Sequence, residues 1–161
     1  VMKAYEEQRQ RALQRVSKNG LALCKVPGAE SDLAVVLAAV AQNGLALQYA
    51  AAELRNTHRI VLAAVTQNGL ALQYATAHLR NTHEIVLAAV SNIGRALKFA
   101  SEELQSNHDI VLAAVSNFGR ALEFASEELK RDREVVQVAV AKDTFALGYA
   151  AEELVLDVGF A

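Results

Sequence analysis

The chain has 161 residues, and a hydrophobic content of 53% with a single proline excludes an intrinsically disordered protein. The net charge of −2 excludes a general attraction to nucleic acid, and the longest apolar run, residues 33–41, is about half the ~18–20 residues that span a bilayer. The only cysteine, Cys24, excludes an internal disulfide and favours a reducing intracellular compartment.

The first predicted element is a polar, charged helix over residues 3–19. Residues 1–25 carry six basic and two acidic side chains, whereas residues 101–161 carry five basic and twelve acidic ones. The chain is therefore basic at its start and acidic at its end. We expect the first helix to cap the units that come after it in the chain, because the terminal units of a repeat array present a polar outer face.

From residue 20 to residue 154 the sequence repeats with a period of 25 residues, apart from a first unit that is one residue shorter. Glycine, leucine and aromatic residues recur at this step, and Thr144 takes the place of the last glycine. The glycines are Gly20, Gly44, Gly69, Gly94 and Gly119. The leucine column is Leu47, Leu72, Leu97, Leu122 and Leu147. The aromatic column is Tyr49, Tyr74, Phe99, Phe124 and Tyr149.

Each unit is predicted to be a hairpin of two helices. The first helix, with a body such as IVLAAV, begins after a residue whose side-chain oxygen can accept from free amide groups. It ends at the glycine, which takes the left-handed conformation at little cost. The second, such as residues 95–104, is predicted to be one amphipathic helix with Leu97, Ala100, Ser101 and Leu104 on one face. The predicted N-caps are Asp32, Thr57, Thr82, Asn107 and Asp132.

A single hairpin of this kind cannot bury its apolar surface, but stacked hairpins can. The sequence therefore predicts one all-α domain over residues 1–161, an α-solenoid of about five stacked helical hairpins. Leucine and aromatic columns are expected to fill the layer between units. The parts are a capping helix at 3–19, repeats at 20–154 and a truncated end at 155–161, where Asp157 falls in the N-cap column. The alternative is an irregular helical bundle that packs through the same columns of residues.

The repeated unit resembles a known family of short helical repeats. Its pattern, D-x-E-V/I-V-x-x-A-V-x-x-N-G-x-A-L-x-Y/F-A-S-E-E-L, is similar to the domain of unknown function 4116 over residues 19–154. The resemblance implies a helical repeat and brings no catalytic residues with it. The chain departs from the pattern at the shortened first unit and at Thr144.

Histidines recur at the same step as His58, His83 and His108, and Arg133 follows in the fourth place. Zinc needs nitrogen ligands at ~2.1 Å from one ion, whereas equivalent residues of neighbouring units lie ~8–10 Å apart. We therefore expect no metal site and no cofactor, and we interpret these histidines as polar residues at helix starts. A single histidine that ligates tetrapyrrole magnesium in a pocket completed by a partner is the alternative.

Paired glutamates recur in the second helix of the later units. Adjacent residues of a helix point ~100° apart, and these positions lie on the polar face, so we expect a solvated acidic ridge. Such a ridge suits a basic partner better than acid–base catalysis. The serines have no histidine and aspartate nearby, so nucleophilic catalysis is not indicated and no enzyme activity is expected.

At the turn between the helices, two columns change character in the later units. Ile93 and Phe118 stand where earlier units have asparagine, and Arg95 and Arg120 stand where earlier units have leucine. One interpretation is that Ile93 and Phe118 fill, from the other side of the glycine, the space that leucine fills in the earlier units. The other is an exposed apolar stripe, rimmed by arginine, that binds a partner.

The sequence predicts a non-catalytic protein–protein interaction or scaffold module whose variable columns select a protein partner. The candidate partner-binding residues are Ile93, Phe118, Arg95, Arg120, Glu102, Glu103, Glu127 and Glu128. One alternative is a permanently bound structural or linker subunit of a large complex, for example in an algal organelle, because the family's repeats are frequent in algae. An RNA-binding helical repeat is a lower alternative, since residues 101–161 are acidic and no nucleic-acid partner is expected.

Overall fold

The computed structural model describes residues 1–156, which are helical and contain no β-strand. The α-helices are α1 Met2–Lys18, α2 Leu33–Gln42, α3 Ala52–Arg55, α4 His58–Gln67, α5 Ala77–Arg80, α6 His83–Asn92, α7 Glu102–Gln105, α8 His108–Asn117, α9 Arg133–Lys142 and α10 Glu152–Val155. The 3₁₀ helices are Gly20–Lys25, Ala29–Ser31, Gly44–Tyr49, Gly69–Tyr74, Gly94–Phe99, Gly119–Phe124, Leu129–Arg131 and Thr144–Tyr149. The predicted N-cap at Asp157 lies outside the described residues.

The long helices stack side by side in chain order, from α1 through α2, α4, α6 and α8 to α9. The 3₁₀ segment after each long helix forms a second layer, and packs against its own helix and the long helix of the next repeat. The predicted stack of helical units with a longer N-terminal capping helix is confirmed. None of the helices in the described part of the chain combines the length and the apolar character needed to cross a bilayer.

The leucine column of the first four repeats lies between the layers, as predicted, whereas Leu147 of the last repeat is half-buried. Leu47, Leu72, Leu97 and Leu122 have no exposed surface. The aromatic column does not fill this space: Tyr49 is 37% exposed, and its equivalents in the later repeats are half-buried. These rings come at the end of each 3₁₀ segment, where the chain reaches the surface of the stack. The buried contact between repeats is therefore aliphatic.

The second helix of each repeat is not continuous, and this part of the prediction was wrong. In the third repeat, the 3₁₀ helix Gly94–Phe99 is followed by two extended residues, Ala100 (φ −66°, ψ 159°) and Ser101 (φ −62°, ψ 156°), and then by α7. Leu97, Ala100, Ser101 and Leu104 consequently share no helical face.

Contacts with the preceding repeat explain this break. The Ser101 N–H donates to the carbonyl oxygen of Arg80, at 3.0 Å, instead of to a carbonyl of its own helix. The Ser101 side chain accepts from the N–H of Leu104, at 3.2 Å, and so caps α7. The same link between repeats joins Ala51 to Glu30, Thr76 to Arg55, Ser126 to Gln105 and Ala151 to Lys130.

The glycine column also has a different role from the one predicted. Within residues 1–156 only Gly28 has a positive φ, +79°, so the repeat glycines do not end the helices in the left-handed conformation. A Cβ at Gly94 would lie 2.3 Å from the carbonyl oxygen of Ala114 in the next repeat. Glycine is therefore needed because the 3₁₀ segment of one repeat touches the backbone of the next long helix. Thr144 meets no following repeat in the described residues.

Side-chain amides at the ends of the long helices join neighbouring repeats. Asn92 Oδ1 accepts from the N–H of Gly69, at 2.8 Å, and Asn92 Nδ2 donates to the carbonyl oxygen of Thr66, at 3.2 Å. Asn117 makes the equivalent bonds to Gly94 and Ser91. These bonds satisfy backbone groups that the ends of the helices leave without partners.

The long helices start at the predicted positions, but two of the predicted caps work differently. Asp32, Asn107 and Asp132 accept from backbone N–H groups of the first turn. Thr57 and Thr82 make no such bond, and their hydroxyls instead donate to carbonyl oxygens four residues earlier. Each threonine hydroxyl is therefore hydrogen-bonded to the short helix before it. The first turn of the long helix after it has no side-chain cap.

Helix α1 is tied to α2 by an ion pair. Arg9 Nε lies 2.6 Å from Asp32 Oδ2, and Arg9 Nη2 lies 3.3 Å from Asp32 Oδ1. Asp32 Oδ1 also accepts from the N–H groups of Ala34 and Val35. The hydrogen bond from Arg9, together with these backbone bonds, holds the pKa of Asp32 below its ordinary value.

This pair is expected to make the stability of the chain sensitive to acid. The folded-state pKa of Asp32 lies below its unfolded value of about 3.9. The ionised Asp32 side chain therefore contributes fully to the free energy of unfolding above pH ~3.9, and this contribution is lost as the pH falls through the folded-state pKa. Asp32→Asn retains an N-cap side chain. Its unfolding temperature should lie below that of the wild type at neutral pH and approach it in acid, as followed by circular dichroism. A constant difference across this range would contradict the prediction.

Candidate functional site

The turns between the long helices and the 3₁₀ segments line up along one edge of the stack. We define the turn edge as the exposed and half-buried side chains that flank the turns of the last three repeats. Its residues are Ile93, Arg95, Phe118, Arg120, Asp143 and Phe145. The alignment follows from the stacking, because every long helix ends at the same side.

Ile93 and Phe118 are extended residues at the ends of α6 and α8, and both are half-buried. A Cβ at Gly69 would lie 3.2 Å from the Cβ of Ile93, and one at Gly94 would lie 2.9 Å from the Cβ of Phe118. Each side chain therefore begins against the glycine of the preceding repeat. Part of each remains exposed, so these residues contribute both to packing and to the surface.

Arg95 and Arg120 are exposed on the turn edge. Arg120 Nε lies 2.6 Å from Asp143 Oδ2, and the Arg120 guanidinium carbon lies 4.8 Å from the centre of the Phe145 ring. Phe145 is 72% exposed. A groove of about 460 Å³ runs between Phe118, Arg120 and Phe145, so two of the predicted residues lie together with an aromatic ring.

Phe145 and Asp143 stand in the variable columns that the sequence predicts to select a partner, but they were not among the candidate residues named from it. Phe145 belongs to the same column as Arg95 and Arg120, and this column is more variable than the leucine column, which is the signal that could have found it. Its exposure depends on the packing around the last repeat, which periodicity does not describe. Asp143 also accepts from the N–H of Phe145, at 3.0 Å, and so holds the turn as asparagine does in the earlier repeats.

The predicted acidic ridge lies on the opposite edge, where the long helices begin. Its members Glu102, Glu103, Glu127 and Glu128 are exposed. Glu127 Oε1 lies 2.9 Å from Lys130 Nζ, and this hydrogen bond lowers the pKa of Glu127. Glu103 Oε2 accepts from Asn81 Nδ2, at 3.0 Å. The structure therefore does not bring the glutamates together with the turn edge, and the two sets form separate surfaces.

The histidine column lies on the same edge as the glutamates. His58 Nε2 lies 3.1 Å from Glu84 Oε2 of the next repeat. His108 lies near Asp132 and Glu134 of the next repeat. Sequence reasoning compared the histidines with one another and missed these carboxylates, which follow His58 by 26 residues and His108 by 24 and 26 residues.

Comparison with known proteins gives one family. The family model described as domain of unknown function (DUF4116) matches residues 32–80, 59–105, 82–127 and 107–155. These overlapping segments cover the five repeats that begin with α2, α4, α6, α8 and α9. The chain matches no curated protein and no solved structure.

Proposed function

The chain belongs to the DUF4116 family of helical repeats, and from this premise we propose that it is a non-catalytic protein–protein interaction module that binds its partner at the turn edge. The observation that carries the proposal is the exposure of Phe145. Its side chain is 72% exposed, and its ring lies under the guanidinium of Arg120. Phenylalanine and arginine are both enriched in protein–protein interfaces relative to the rest of the protein surface.

The exposed ring supplies the affinity. Burial of a phenylalanine side chain in a partner's pocket contributes about 2 kcal/mol to binding, relative to leaving the side chain exposed to water. The half-buried Phe118, which lines the same groove, would extend the apolar contact. The partner is therefore expected to present an apolar side chain that enters the groove between the two rings.

The arginines supply orientation. Asp143 holds Arg120 in place, so less side-chain freedom is lost when a partner packs against it. Arg95, one repeat away, is exposed on the same edge and is available to a carboxylate of the partner. The buried leucine column fixes the distance between the two arginines, because it fixes the stacking of the repeats.

Affinity capture from the source cell with matched baits tests the proposal. Phe145→Ser should retain the fold, because the ring is mostly exposed, and should weaken partner capture by about 30-fold, the equivalent of ~2 kcal/mol. Tyr5→Ser is the matched control, since Tyr5 is an aromatic residue 64% exposed at the other end of the stack. Quantitative mass spectrometry compares the proteins recovered with each bait.

The outcomes are distinct. A protein retained by the wild type and by Tyr5→Ser but lost with Phe145→Ser supports the turn edge as the binding surface. Equal recovery of every captured protein by all three baits would overturn the proposal. Circular dichroism melting of the baits ensures that loss of the fold is not mistaken for loss of the interface.

A further inference from the structure

His108, at the start of α8, faces carboxylates on both sides of its ring. His108 Nε2 lies 3.6 Å from Glu134 Oε2 and 3.8 Å from Asp132 Oδ2, and both acids belong to the next repeat. His108 Nδ1 lies 3.8 Å from Asp109 Oδ1. The ligand atoms of His108, Asp132 and Glu134 all lie within 4.8 Å of one another.

We propose that His108, Asp132 and Glu134 bind a zinc ion that links α8 to α9. Zinc bonds of 2.0–2.2 Å to nitrogen and oxygen place tetrahedral ligands roughly 3.4 Å apart. The two separations from His108, 3.6 and 3.8 Å, need to contract by a few tenths of an ångström, whereas the ligand atoms as a set lie within 4.8 Å, so the exposed Glu134 side chain has to move further toward Asp132. A mixed set of one imidazole and two carboxylates suits zinc better than calcium or magnesium, which prefer oxygen ligands alone.

One of the ligands is already oriented. Asp132 Oδ1 accepts from the N–H of Val135, at 3.0 Å, which leaves Oδ2 directed toward His108. Asp109 Oδ1 lies 3.8 Å from the other ring nitrogen of His108, which is too long for a hydrogen bond, so this exposed carboxylate does not fix the ring. His108 and Asp132 are half-buried and Glu134 is exposed, so an ion can enter and water can complete its coordination.

The other members of the histidine column lack this arrangement. His58 has one carboxylate of the next repeat, Glu84, and the N-cap of that repeat is Thr82. The N-cap that follows His83 is Asn107. An acidic N-cap follows a histidine of this column only at Asp132, where it adds the second carboxylate. The chain therefore contains its own control for the site.

Calorimetric titration of the full 161-residue chain with zinc chloride at neutral pH tests the inference. The wild type should take up one zinc ion per chain, and the ion should raise its unfolding temperature. Asp132→Asn keeps an N-cap side chain and should weaken binding by about tenfold or more. His108→Gln should abolish binding, whereas His58→Gln should leave it unchanged.

Three results would overturn the inference. They are the absence of saturable zinc uptake by the wild type, uptake unaffected by Asp132→Asn, and equal losses with His58→Gln and His108→Gln. Circular dichroism without zinc checks that each variant is folded, and a titration with magnesium chloride should give no binding. The outcome is independent of the turn edge, because the two surfaces lie on opposite edges of the stack.

Discussion

Replacement of Gly94 by alanine is expected to destabilise the chain by about 3 kcal/mol or more, as measured by urea denaturation. The added Cβ would lie 2.3 Å from the carbonyl oxygen of Ala114 and 2.9 Å from the Cβ of Phe118. The first contact is with backbone inside α8, which cannot move without separating the two repeats. The cost therefore exceeds that of overpacking against a flexible side chain.

Gly148→Ala is the matched control for this prediction. A Cβ at Gly148 would have no atom within 4 Å, and its φ is not positive. Alanine there should be neutral or should stabilise the chain by up to about 1 kcal/mol, because it reduces the freedom of the unfolded state. The prediction fails if Gly94→Ala and Gly148→Ala change the free energy of unfolding in the same direction and by similar amounts.

The second large effect is expected in the leucine column. Leu97→Ala and Leu122→Ala should each reduce the free energy of unfolding by about 2–5 kcal/mol, because each leaves a cavity at a site with no exposed surface. Both leucines lie between the two layers, where the surrounding backbone can relax only in part. Thermal and urea denaturation of the two variants measure the loss.

Leu33→Ala provides the comparison for these variants. Leu33 begins α2 and is 46% exposed, so its truncation removes fewer contacts and should cost about 1 kcal/mol or less. A loss near zero at both Leu97 and Leu122 would show that the leucine column does not carry the packing between repeats. A loss at Leu33 as large as those two would show that burial does not decide the cost.

The candidate surface was predictable in part. Two columns at the turn change residue type in the later repeats, and such a change is visible without coordinates. It identified Ile93, Phe118, Arg95 and Arg120. The break in the helix between these residues and the glutamates was not predictable. An unbroken second helix was assumed, and the two extended residues that interrupt it decide which edge of the stack each segment reaches.

Periodicity was sufficient to specify the stack, the starts of the long helices and the buried leucines, because these features depend on residue spacing and on local capping. Contacts between repeats decided the rest. The N–H of Ser101 leaves its own helix because the carbonyl of Arg80 lies beside it, and Gly94 is required because the carbonyl of Ala114 lies against it. Both partners belong to a different repeat, so their positions exist only once the units have stacked.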